Sequence, residues 1–190
     1  FGRTDVERIQ LTEKTFANGG VYDRGGLTNA AELYLDFGHD SITGYRRTLN
    51  LNDAVTTVTY RSGGAGYRRE AFVSYPDDVM AVRLTADTPG ALSLNVRPEI
   101  PYIPARKERD SKSATVTTNG NTITLSGVID FFELQYEIQV RVLHEGGELT
   151  PGDGSIGIRE ADAVTLLVAV DTNYELSSEV FLSDQKDKLD

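Results

Sequence analysis

Residues 67–86, YRREAFVSYPDDVMAVRLTA, alternate apolar and polar positions with a period of two. Tyr67, Arg69, Ala71, Val73 and Tyr75 fall on one face, and Arg68, Glu70, Phe72 and Ser74 on the other. Pro76-Asp77-Asp78 supplies a turn, after which Met80, Val82, Leu84 and Ala86 resume the alternation. Successive side chains of an extended strand point to opposite faces, so this pattern predicts a hairpin. The same period recurs along the sequence. AELYLDF (31–37) turns Leu33, Leu35 and Phe37 inward and Glu32, Tyr34 and Asp36 outward, and AVTTVTYR (54–61) groups Ala54, Thr56, Val58 and Tyr60. Ser62–Gly66 returns the chain, and Thr88-Pro89-Gly90 turns it into ALSLNVR. Pro98, Pro101 and Pro104 are expected to end strand pairing over 98–104, because proline lacks the ladder donor. Asn119-Gly120 between β-branched runs predicts a type I′ hairpin. FFELQYEIQVRVL (131–143) sets Phe132, Leu134, Tyr136, Ile138, Val140 and Val142 on one face. AVTLLVAV (163–170) is apolar on both faces and reads as a central strand. Only LTNAAE (27–32) and the extreme C-terminus hint at helix, and alternation is expected to cease over the last twenty residues. The expectation is an all-β, antiparallel fold of about a dozen strands, at the spacing typical of sandwiches.

A chain of 190 residues with 39% hydrophobic and 25% charged residues suits one large domain or two small packed sheets. The formal charge of −10 gives no overall basic footprint, so nucleic acid is not an expected partner. Arg46, Arg47, Arg61, Arg68 and Arg69 are read as cross-strand partners for carboxylates rather than as a phosphate site. No apolar run approaches the ~18 residues of a membrane-spanning helix, and no membrane partner is expected. The absence of cysteine excludes disulfides, thiolate metal sites and a cysteine nucleophile. The compartment stays open between cytoplasm and a secreted location. Phe1 in place of Met suggests either processing or a piece cut from something longer, the second being favoured.

Candidate chemistry is sparse. His39, flanked by Asp36 and Asp40, is either a metal ligand or general base, or a turn histidine bonded to backbone or carboxylate; the second reading is favoured. His144 closes a strand and promises less. Gly63-Gly64-Ala65-Gly66 lies between strands, with no helix N-terminus behind it to cradle phosphate. Paired carboxylates suit glycoside hydrolysis. Asp77, Asp78, Glu99, Asp130, Glu133 and Glu137 are available, but among 29 acids chance pairs are easily found. There is no tryptophan to serve as a flat stacking platform for sugars.

ERIQLTEKTFANGG (7–20), ELYLDFGHD (32–40), the stretch GYRRTLNL…LSLNV (44–96) and LLVAVDTNY (166–174) resemble, in order, the N-terminal domain of glycoside hydrolase family 95. That family comprises α-L-fucosidases and relatives acting on galactose-type sugars. The resemblance implies a β-supersandwich of the galactose-mutarotase-like, family 65-type kind, followed by a linker and a helical α/α barrel that holds the catalytic groups of an inverting mechanism. It implies that residues 1–182 are the sandwich, with its first strand missing, and that 183–190 begin the linker to the barrel. It carries no catalytic residue, metal or cofactor onto this chain. The barrel and a fucosylated or related oligosaccharide are the implied partners, with Glu13, Thr15 and Asn18 in a loop beside the substrate entrance. Thr12 and Ala17 replace the Asn and Trp usual in that loop, and Ala removes a stacking surface. The rival reading is a stand-alone glycan-binding or adhesion module.

Overall fold

The computed structural model describes residues 30–100, 112–129 and 134–174. They form twelve strands: β1 (Glu32–Asp36), β2 (Thr43–Asn50), β3 (Val55–Ser62), β4 (Ala65–Ser74), β5 (Val79–Ala86), β6 (Leu92–Glu99), β7 (Lys112–Asn119), β8 (Thr122–Ile129), β9 (Leu134–Glu145), β10 (Glu148–Pro151), β11 (Ile156–Ala161) and β12 (Ala163–Thr172). The described residues contain no helix; Ala30 and Ala31 are irregular and Glu32 opens β1, so the helical hint before β1 fails where it can be seen. Every strand pair is antiparallel. A large sheet runs β2-β3-β4-β5-β12-β9-β8-β7 and a small one β1-β6-β11-β10.

The strands form where the alternation places them, because burying one face stabilises by about 1.5–3 kcal/mol per large apolar side chain. The large sheet contributes Val82 and Leu84 from β5, Ile123 and Leu125 from β8, Tyr136, Ile138, Val140 and Val142 from β9, and Val164, Leu166 and Val168 from β12. The small sheet answers with Leu92, Leu94 and Val96 of β6 and Ile156 and Ile158 of β11. Leu33, Leu35 and Phe37 pack inward, as expected of β1. β12 lies between β5 and β9, the central position that its two apolar faces predict, and it continues through Asp171 to Thr172. The core draws on β5, β12, β9 and β8. β2 is exposed at every position, so the large sheet projects beyond the small one on that side.

Two turn expectations are corrected. Pro98 does not stop pairing: it is buried within β6, opposite Leu33. Pairing between β6 and β11 ends at Val96, so β6 has a described neighbour on one side only at Pro98, where a missing N–H is tolerated. In the β7–β8 hairpin, Asn119 pairs with Thr122, leaving Gly120 and Asn121 as the two loop residues. Of these only Gly120 has positive φ, at 57°, which is the demand of a type II′ rather than a type I′ turn.

The two ends of the large sheet differ. One end carries the tight hairpins at Gly63-Gly64 and Gly120-Asn121, and the Gly146-Gly147 turn that takes the chain from β9 of the large sheet to β10 of the small one. Gly147 packs so closely there that a Cβ would stand 2.1 Å from the Arg159 carbonyl oxygen. Asp162 ties this end together by accepting from the Gly90 N–H at 2.8 Å. At the opposite end lie the β2–β3 and β4–β5 turns, the start of β7 and the exit of β12.

Candidate functional site

Glu13, Thr15 and Asn18 lie outside the described residues, as does the rest of the 12–20 loop. Among the residues that are described, chemistry-bearing groups gather in three places.

The first surrounds His39. β1 delivers Phe37 and His39 onto β3 and β4, whose Tyr60 and Tyr67 are register partners. His39 Nδ1 meets the Tyr60 hydroxyl at 3.2 Å, and its ring lies 4.4 Å from that of Tyr67 and 5.3 Å from that of Phe37. Burial raises the Tyr60 pKa, opposed by the Arg69 charge. The partner of His39 is a phenol rather than the backbone or carboxylate expected of a turn histidine, and neighbouring Asp36 accepts from Arg97 Nε at 2.7 Å instead. No three metal-binding side chains converge among the described residues. The arrangement fastens β1 to the large sheet. His144 bonds the Gly146 backbone oxygen across 2.9 Å and shapes a turn.

Of the five arginines expected to pair with carboxylates across strands, only Arg61 and Arg68 contact a carboxylate among the described residues, and Arg68 does so within its own strand. Arg61 reaches Asp87 at 3.3 Å, Arg68 reaches Glu70 at 2.6 Å along its own strand, and Arg83 spans Thr165 and Glu145 at 3.0 and 2.8 Å. The hydrogen bond from Arg68 lowers the Glu70 pKa, and the Gly66 backbone N–H lowers that of Asp87. Arg69 departs from the expectation. Its guanidinium sits 5.3 Å from the Phe37 ring centroid, and its buried Nε has no hydrogen-bond partner among the described residues.

The second place is a groove of about 470 Å³ over β8, β9 and β12, lined by Ser126, Gln135, Glu137, Asp171 and Asn173 among others. Glu137 and Asp171 are direct register partners, a like-charge pairing that destabilises a sheet. Glu137 is steadied by the Ser126 hydroxyl at 3.1 Å and the Gln139 amide at 2.8 Å. Of the acids considered from sequence, Glu137 thus has a neighbour, Asp77 accepts from Ser74 at 2.5 Å, and Asp130 and Glu133 lie outside the described residues. Asp171 sits where the alternation is expected to have ceased, so local pattern does not find it. The signal that does is the β9–β12 register.

The third place is the open end of the large sheet. Leu49, Leu51, Val73 and Tyr75 are 60%, 84%, 72% and 96% exposed, far more than apolar side chains are when a sheet end is covered. The exposed Val170 and Tyr174 mark the exit of β12 at the same end. Thus the alternation that half-buries Tyr67 and Ala71 along β4 carries Val73, and Tyr75 just after the strand, past the edge of the core.

These features define a two-layer antiparallel β-sandwich domain with one laced and one open end. The family model described as "Glycosyl hydrolase family 65, N-terminal domain" matches residues 1–177, and the chain belongs to that family. It is 34% identical over 160 residues to "Probable alpha-fucosidase A" of Aspergillus niger, covering 81% of this chain and 19% of that protein. It is 27% identical over 182 residues to "Alpha-L-fucosidase 2" of Arabidopsis thaliana, covering 86% of this chain and 22% of that protein. The chain therefore spans about a fifth of the length of these curated relatives. A solved structure titled "Putative kojibiose phosphorylase from human microbiome" aligns with a TM-score of 0.48 at 12% identity, over 83% of this chain and 25% of that one.

Proposed function

We propose that this chain is the N-terminal β-sandwich of a family 95 glycoside hydrolase, an inverting α-L-fucosidase or related α-L-galactosidase, and that it supports an active site housed in a helical barrel. The observation that carries the reading is the pairing of likeness and length. Two proteins named as fucosidases, one fungal and one plant, align with more than four-fifths of this chain but extend about five times as far. The blocks at 7–20, 32–40, 44–96 and 166–174 add the family 95 resemblance. In this reading residues 1–182 form the sandwich, 183–190 start the linker, and Glu13, Thr15 and Asn18 stand near the substrate entrance. The barrel docks on the open end, where Leu49, Leu51, Val73 and Tyr75 are exposed beside the exit of β12.

The test compares the 190-residue chain with a longer polypeptide that continues it through a barrel, both assayed on aryl α-L-fucosides. The longer polypeptide hydrolyses them and first releases the sugar with inverted anomeric configuration; the short chain does not. Turnover by the short chain overturns the reading. Calorimetric binding of fucosylated oligosaccharides to the short chain, tighter than about millimolar and so worth about 4 kcal/mol, supports an independent binding module instead.

A further inference from the structure

The Asn119-Gly120 dipeptide predicts a hairpin, and the fold uses it as one, but its chemistry has a second consequence. A glycine after asparagine leaves the following backbone nitrogen unshielded, and that nitrogen is the nucleophile that closes a five-membered ring on the carboxamide carbon of the asparagine. Both residues are exposed, and a Cβ added at Gly120 would meet nothing within 4 Å. Asn119 ends β7, the edge strand of the large sheet among the described residues, where one described neighbouring strand restrains it.

The other described asparagines each carry a restraint that Asn119 lacks. Asn50 donates to Asp53 at 2.6 Å, and the Asn173 carboxamide oxygen accepts from the Gln135 backbone at 2.9 Å. Asn95 and Asn121 precede the β-branched Val96 and Thr122, whose side chains crowd the attacking nitrogen. Asn52 precedes Asp53 and has its backbone N–H held by the Asn50 side chain at 3.0 Å.

We propose that Asn119 is a site of spontaneous deamidation and backbone isomerisation, gated by opening of the β7–β8 hairpin end. The Gly120 nitrogen attacks Asn119 Cγ, a new N–C bond forms, the bond from Cγ to the amide nitrogen Nδ2 breaks, and ammonia leaves. Water then opens the succinimide at either carbonyl to give aspartate or isoaspartate. The net change is the gain of one water and the loss of one ammonia, with no oxidant or reductant. Ring closure requires the Asn119 backbone to leave the extended range of a strand, which is why opening sets the rate. Isoaspartate adds a carbon to the main chain beside a two-residue loop. That shifts the pairing of Thr118 with Ile123 and strains the Thr118 hydroxyl contact with the Ser155 carbonyl, at 3.4 Å.

The experiment ages the full 190-residue chain in mildly alkaline buffer, then labels it with an isoaspartyl carboxyl methyltransferase and a labelled methyl donor, followed by peptide mapping. Label appears at 119 at least about tenfold faster than at Asn95, which pairing with both β1 and β11 holds closed. Denaturant accelerates it, and Asn119→Gln, which forms the ring poorly, removes it while leaving the fold intact. The aged protein also loses amide protection along β7. Label that is absent from 119, forms there no faster than at Asn95, does not accelerate in denaturant, or persists in the peptide of Asn119→Gln overturns the proposal. Mapping separates position 119 from the chain's other Asn-Gly pair, Asn18-Gly19.

Discussion

Gly127→Ala isolates one packing contact within the large sheet. Gly127 of β8 is the register partner of Tyr136 of β9, and the tyrosine ring lies over the glycine. A Cβ at 127 would stand 2.3 Å from Tyr136 Cζ, 2.5 Å from its hydroxyl oxygen and 2.7 Å from Cε1. Carbon atoms rest at about 3.5–4.0 Å, so the ring must retreat by about 1 Å or more. Tyr136 is only 5% exposed and its phenol is rigid, so the ring moves only by giving up core contacts, even though it lines the open groove over β8, β9 and β12. Overpacking of this kind costs about 1–3 kcal/mol. For a domain of this size a loss of about 2 kcal/mol lowers Tm by about 4–8 °C. The decisive assay is a double-mutant cycle in urea. Tyr136→Ala alone costs about 3–5 kcal/mol by the scale of buried aromatic truncations. In that background the obstacle is gone, and Gly127→Ala becomes neutral or gains up to about 1 kcal/mol, because alanine suits a strand interior better than glycine. A coupling energy above about 1 kcal/mol is therefore expected, and additivity within about 0.5 kcal/mol, the behaviour of independent sites, would refute the contact.

Other perturbations separate core, clasp and surface. Leu166→Ala, at a fully buried position on the central strand, should destabilise by about 2–5 kcal/mol with an unchanged urea m-value. Tyr60→Phe removes the partner of His39 Nδ1 and should cost about 0.5–1.5 kcal/mol, with hydrogen exchange rising first in β1. Asp87 has a folded pKa below its unfolded value, chiefly through the Gly66 N–H, so its contribution to stability is present above the ordinary carboxylate pKa of about 3.9 and is lost as pH falls through the lower folded value. Asp87→Asn should flatten that acid limb of the stability–pH curve, and an unaltered limb would mean that the Gly66–Asp87 bond contributes nothing to it.

The strand content was legible because alternation has one physical meaning once a face must be buried. Met80, Val82, Leu84 and Ala86 went inward, and AVTLLVAV became the strand flanked on both sides. Local sequence could not reveal which neighbour a strand takes. Pro98 remained in β6 because its register gave it a one-sided position, and the β7–β8 loop shifted by one residue because Asn119 joined the ladder. The site was less legible for the same reason. His39 found Tyr60, twenty-one positions away, in preference to its adjacent acids, and Asp171 met Glu137 through pairing of strands distant in sequence. Val73 and Tyr75 fitted the inward pattern of β4 and yet are exposed, since alternation fixes a face and not the extent of the layer that covers it.

In the proposed arrangement the sandwich serves as a platform whose open end receives a helical barrel. Hydrogen exchange on the short chain and on the longer barrel-containing polypeptide tests this most directly. Protection should rise at 49–54, 73–79 and 170–174 only in the longer polypeptide, with the turns at 63–64 and 146–147 unchanged. Equal exchange at the open end in both proteins, or new protection confined to the hairpin end, would contradict it.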